Sequence, residues 1–120
     1  MIMEFKIIFY KDEVYKSPIE EFLLRLGLRN RVLVSKTRKG IEKLRNKNNH
    51  REPLSKYLEQ DLWELRIKSG TDILRIIYTF RKGQIIILLH VFIKKKQKIP
   101  IGELELARKR LREIKLQEVN

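Results

Sequence analysis

The segment Ile85–Ile93, IIILLHVFI, is apolar at nearly every position, and Lys94, Lys95, Lys96 and Lys98 follow it at once. A strand with one wet face alternates apolar and polar residues. This run does not alternate, so it predicts a central strand buried on both faces. It is far shorter than the ~20 residues a membrane-spanning helix needs. The lysines that end it repel one another, and that repulsion is offset by water or by an anionic partner.

The rest of the chain supplies the coverings. Ile2–Tyr10 mixes β-formers with alternating polar residues and predicts a strand. In KSPIEEFLLRLG, Ser17 is placed as N-cap, Pro18 at the first helical position and Glu20 to complete a capping box. Phe22, Leu23 and Leu26 form its apolar stripe, and Gly27 is its stop. Leu33, Thr37, Ile41 and Leu44 then recur at helical spacing, at a cost of about 1 kcal/mol for Gly40. NKNNHREP reads as a polar loop. DLWELRIK alternates, SGTD turns, ILRIIYTF continues and RKGQ turns again, which predicts an antiparallel meander into Ile85–Ile93. After Pro100, Leu104, Ala107, Leu111 and Ile114 mark one face of a last helix.

The predicted order is β-α-α-β-β-β-α in one domain over residues 1–120. Strands and helices are segregated, so the class is α+β: a small, mostly antiparallel sheet with helices on one face. The chain has no cysteine, which excludes disulfides and thiolate metal sites and suits a reducing compartment. No secretory pattern opens it, so the cytoplasm is the expected location and no membrane is implied.

The net charge is +13, from 28 Lys and Arg against 15 Asp and Glu, which points to a polyanionic partner, first of all nucleic acid. Strand alternation sends Glu64, Arg66 and Lys68 to one face, opposite Trp63, Leu65 and Ile67. Arg75 lies across the turn, close enough to share that face with Arg66 if the register allows. Lys94, Lys95, Lys96 and Lys98 leave the next strand, and Lys56 lies in the loop entering the first. Such a ring suits a phosphodiester, because arginine presents a planar fork and lysine a compact charge. Fixed cations stabilise the charge that develops at phosphorus without a metal. The acidic clusters of a two-metal nuclease are missing from the pattern, so neither a metal nor a cofactor is expected.

Plainer readings stand beside this one. Arg66 can pair with Glu64, and Arg75 can be an interior arginine holding a buried carboxylate. Trp63 and Tyr78 read as core. His90 reads as a hydrogen-bonded core histidine and His50 as a solvated loop residue.

Taken in order, Lys56, LWELR (Leu62–Arg66), RIIY (Arg75–Tyr78), LLHVFIKKKQKIP, Glu103 and Ala107 resemble the RelE/ParE toxin superfamily, nearest its HigB-like, phage-derived branch. The resemblance spans about residues 3 to 112. It implies a toxin of a type II toxin–antitoxin pair that enters the ribosomal A site and cuts messenger RNA. The cut would use the RNA's own 2′-hydroxyl and need no metal. By resemblance, Arg66 stabilises the scissile phosphate, and Arg75 is the arginine of the RxxY strand. Lys94 and Lys56 join them, Lys56 as general base or phosphate clamp. Lys68, Lys95, Lys96 and Lys98 bind RNA phosphates. The resemblance also implies an antitoxin, one carrying a helix-turn-helix DNA-binding domain. Relatives of RelE type often carry a tyrosine in the last helix, whereas GELELA has none, and Tyr78 is in a strand. The alternative is a non-catalytic toxin that binds gyrase as the ParE branch does, or an inactive RNA-binding relative.

Overall fold

The structure is a computed structural model that describes residues 4–94 and 98–119. Its elements are β1 (Lys6–Phe9), α1 (Pro18–Gly27), α2 (Arg31–Lys43), a 3-10 turn (Lys47–Asn49), β2 (Ser55–Glu59), β3 (Leu62–Ser69), β4 (Asp72–Arg81), β5 (Ile85–Ile93) and α3 (Ile101–Val119). The five strands form one curved sheet in the order β1-β5-β4-β3-β2. All neighbours are antiparallel except β1 and β5, which run parallel with Lys6 beside Ile85. The class is α+β with the predicted element order, plus one further strand, β2.

Local chemistry explains the helix starts. Ser17 Oγ accepts the Glu20 N–H at 3.1 Å, and Asn30 Oδ1 accepts the Leu33 N–H at 3.1 Å. Each side chain satisfies one of the orphan donors of a helix N-terminus. The Glu20 side chain pairs with Arg38 of α2 at 3.0 Å, tying the helical hairpin together. Gly40 shows why its propensity cost is tolerated. A Cβ there would stand 2.3 Å from the Ile67 δ-methyl of β3, so glycine lets α2 lie close on the sheet.

The sheet is covered on both sides. Ile19, Leu23 and Leu26 of α1 and Leu33 and Ile41 of α2 pack against Leu65, Ile67, Leu74, Ile76, Leu88 and Val91. On the opposite face, Ala107, Leu111 and Ile114 of α3 pack against Leu62, Ile77, Leu89 and Phe92. This corrects the expectation of helices on one face. β5 reads apolar throughout because both layers press on it, and a bulge at Ile77/Tyr78 of the β4–β5 ladder shifts its register. Gly70 takes φ +61 in the β3–β4 turn, where a glycine avoids the left-handed penalty.

Polar ties hold α3 in place. Arg108 makes two hydrogen bonds to Glu59 of β2, at 2.9 and 2.7 Å. Lys115 reaches Asp61 in the β2–β3 turn at 2.7 Å, and Arg81 Nε reaches Glu118 at 2.9 Å. Tyr10 OH donates to Glu113, and burial followed by that carboxylate pushes the phenol up to about 12.

The bonds from Arg108 and Arg81 hold the Glu59 and Glu118 carboxyls below the ordinary 4.5. Stability from these pairs is present above that value and is lost as pH falls through the depressed folded values. Thermal melts recorded from pH 7 downward should therefore fall in Tm below about pH 4.5. Arg108→Ala should lower Tm at pH 7 and flatten that acid slope. An unchanged slope would show that the Glu59 clasp adds nothing.

Candidate RNA-binding face

The β3–β4 register sets Arg66 directly opposite Arg75, and Lys68 opposite Ile73. The β2–β3 register sets Lys56 opposite Glu64. The β4–β5 register sets Phe92 opposite Arg75, and the Lys94 N–H continues that ladder to Ile73 O at 3.2 Å. Alternation then puts Lys56, Glu64, Arg66, Lys68, Arg75 and Lys94 on one face, the one that α3 also covers. Lys56, Lys68 and Lys94 are exposed, and the Arg66 side chain is 18% exposed. Lys98 is exposed just before α3. Lys95 and Lys96 lie outside the described residues.

Glu64 sits at the centre of this group. Its side chain is 2% exposed, and that of Arg75 is 0% exposed. Arg66 Nε stands 3.0 Å from Glu64 Oε1, and Arg75 donates to Glu64 Oε2 at 3.4 Å. The Arg66 Nε–H is buried and not aligned on a hydrogen-bond acceptor among the described residues, so that contact is mainly charge on charge. Burial pushes the Glu64 carboxyl up from its usual range, while Arg75, Arg66 and Lys56 pull it back.

Both plainer readings of the arginines therefore hold in part. Arg66 pairs with Glu64, and Arg75 is an interior arginine that holds a buried carboxylate. The Arg75 side chain, expected by resemblance at the catalytic site, has no exposed surface and lies against Glu64. The cations converge, but one carboxylate is shared between two of them. Among the described residues Lys56, Lys68 and Lys94 make no ion pair, whereas Arg38, Arg45, Arg81 and Arg108 all do. The face thus keeps a net positive charge around Arg66.

Alternation singled out Glu64 as a possible partner but not its place between two guanidinium groups. His90 lies on the same face, opposite Ile77. Its Nε2 donates to Glu103 Oε1 at 2.8 Å, and Arg110 approaches its Nδ1 at 3.4 Å. Burial above all holds it below the usual histidine range, so the ring is neutral at pH 7. It is a hydrogen-bonded, half-buried histidine, as expected. His50 is not the solvated loop residue expected: it is half-buried, bonds Leu44 O at 2.6 Å and packs against Phe5 and Phe80. Tyr78 is fully buried and donates to Ser55 Oγ at 2.8 Å, which removes it as a surface acid. The described residues hold no group of three or more His, Cys, Asp or Glu placed to bind a metal ion, and no described helix is long and apolar enough to cross a membrane.

Residues 28–112 match the model of a family described as phage derived protein Gp49-like (DUF891), and the chain belongs to that family, which is toxin-like and of RelE type. A comparison with curated proteins finds no match.

Removing Glu64 leaves Arg75 buried beside a lost partner. Glu64→Ala should lower the unfolding free energy by about 3 kcal/mol in urea titration, as for other broken buried ion pairs. A loss no larger than that of an exposed pair, under about 1 kcal/mol, would show that the carboxylate does not organise this face.

Proposed function

We propose that this member of the Gp49-like family is a toxin of a type II toxin–antitoxin pair, of HigB-like kind, that cuts messenger RNA on the ribosome. The observation that carries this reading is the gathering of Arg66, Lys56, Lys68 and Lys94 on one face around a single buried carboxylate. RNA supplies its own nucleophile. The 2′-oxygen attacks the adjacent phosphorus, the bond to the 5′-oxygen breaks, and the products are a 2′,3′-cyclic phosphate and a 5′-hydroxyl. The proton lost by the 2′-hydroxyl is balanced by the one the 5′-oxygen gains. The protein's task is to hold the phosphate and stabilise the charge on its equatorial oxygens.

Arg66 is suited to the scissile phosphate. It is the one guanidinium of the pair with exposed surface, and Glu64, backed by Arg75, fixes its direction. Lys56 and Lys94 flank it as clamps, and Lys68 takes a phosphate further along the chain. Lys98, exposed just before α3, extends the same charge. The antitoxin of this reading covers the cationic face with an acidic segment and carries a helix-turn-helix DNA-binding domain, and its binding weakens with salt.

The test is cleavage of a reporter message in a purified translation system. Wild-type protein should cut the message only while it is translated, leaving 5′-hydroxyl ends. Arg66→Ala should slow cutting by about 100-fold, the loss typical of one transition-state donor. Its thermal melt should stay cooperative. An intact message combined with inhibition of supercoiling by purified gyrase would replace this reading with the gyrase-binding one.

A further inference from the structure

β2 accompanies only half of β3. Their ladder runs from Glu59 beside Leu62 to Ser55 beside Leu65, and the Arg66 N–H adds one bond to Leu54 O at 3.0 Å. Beyond Arg66, among the described residues, no strand lies on the outer side of β3. Backbone N–H groups two residues apart point the same way, so the Lys68 N–H faces that open edge. The chain between α2 and β2 passes around the gap instead of filling it. A hollow of about 510 Å³ results, with Arg66 and Lys68 on the strand side and Lys43, at the last turn of α2, facing them. Pro53 and Leu54 give it an apolar wall, and Asn49 and Glu52 complete the rim.

Its charges decide what it suits. Three cations, Lys43, Arg66 and Lys68, line it against one carboxylate, Glu52. Among the described residues Lys43 makes no ion pair, and its helical neighbour Glu42 is engaged by Arg45 at 2.9 Å. Exposed Lys36 and Lys39 lie three and four positions apart in the series that ends at Lys43, so the three share one stripe of α2. The hollow is thus the lower end of a cationic track that begins on the other side of the sheet edge.

We propose that this hollow is a second phosphate subsite, which holds the backbone of the nucleotide next to the cleaved one in single-stranded RNA. Lys43 and Lys68 bind its phosphate, the Lys68 N–H adds a directed donor, and Pro53 and Leu54 carry the ribose or base. The strand then leaves along Lys39 and Lys36. This rests on the nuclease reading for Arg66, shares Lys68 with it and adds Lys43, Pro53 and Leu54.

The test uses the full chain and a single-stranded RNA carrying one 2′-deoxynucleotide at the cut position, so that it binds without reacting. Affinity is read by fluorescence anisotropy across a salt series. Wild-type protein should bind with an affinity that falls with salt. Lys43→Glu should bind more weakly and lose about 0.7 from the log–log salt slope for each phosphate released. Lys11→Glu, the same charge change at the opposite sheet edge, should keep the slope. Cleavage of the all-ribose message by Lys43→Glu should show a raised KM with kcat unchanged. Wild-type affinity and slope in Lys43→Glu would overturn the subsite while active cleavage left the nuclease reading standing. Equal losses in Lys43→Glu and Lys11→Glu would reduce it to net charge and also overturn it. Lys43-dependent binding without any cleavage would uphold the subsite and sink the nuclease. Wild-type protein that neither binds nor cuts would remove both.

Discussion

One carboxylate organises this molecule's functional face. Glu64 is taken out of water in the middle of the sheet, and two guanidinium groups approach it from β3 and β4. Such burial is costly for all three charges, and an apolar trio of the same volume would often fold as well. What the arrangement supplies is direction. Arg66 has a long and flexible side chain, and a charge fixed behind it narrows where its fork can go. On the function proposed above, a phosphate arriving from outside would meet an arginine already oriented, with less ordering left to do at the moment of binding.

The two helical layers divide the labour. α1 and α2 bury one face of the sheet with mostly aliphatic side chains, joined by Phe22 and the buried Thr37. α3 buries the other with a narrow stripe, Ala107, Leu111 and Ile114, and completes its attachment with polar contacts to β2, β4 and β5. The result is a face that carries both a core and a cationic surface. The helix covers Leu62, Ile77 and Phe92 and lies beside the cations.

Much of this was written in the residue pattern. The alternation in LWELRIK fixed the faces of β3, and the unbroken apolar run of β5 announced two coverings. The side on which each helix packs is not legible in the same way, because a period of 3.6 says which side of a helix is buried and not against which side of a sheet. β2 escaped notice because SKYLE follows Pro53 in a polar stretch and has only Tyr57 and Leu58 to suggest a strand. Its strand form comes from pairing with β3, not from propensity. The parallel partnership of β1 with β5 joins segments far apart in the chain and has no local signature. Arg75 could be placed beside Arg66 from the turn between them, but its depth depends on Glu64 and Phe92, which only the assembled sheet brings to it. Lys43 belonged to another element and was invisible as a neighbour of Arg66. His50 stands in a polar string, and nothing nearby in sequence betrays the phenyl rings that surround it.

The contact between Gly40 and Ile67 reaches further than packing. Ile67 sits between Arg66 and Lys68, and a strand turns consecutive side chains to opposite sides. The backbone that carries both cations is thus levelled from beneath by a helix with no side chain at the point of contact. The missing methyl acts as a shim of zero thickness. Its presence would meet the end of the Ile67 side chain, which would have to turn aside beneath the two cations.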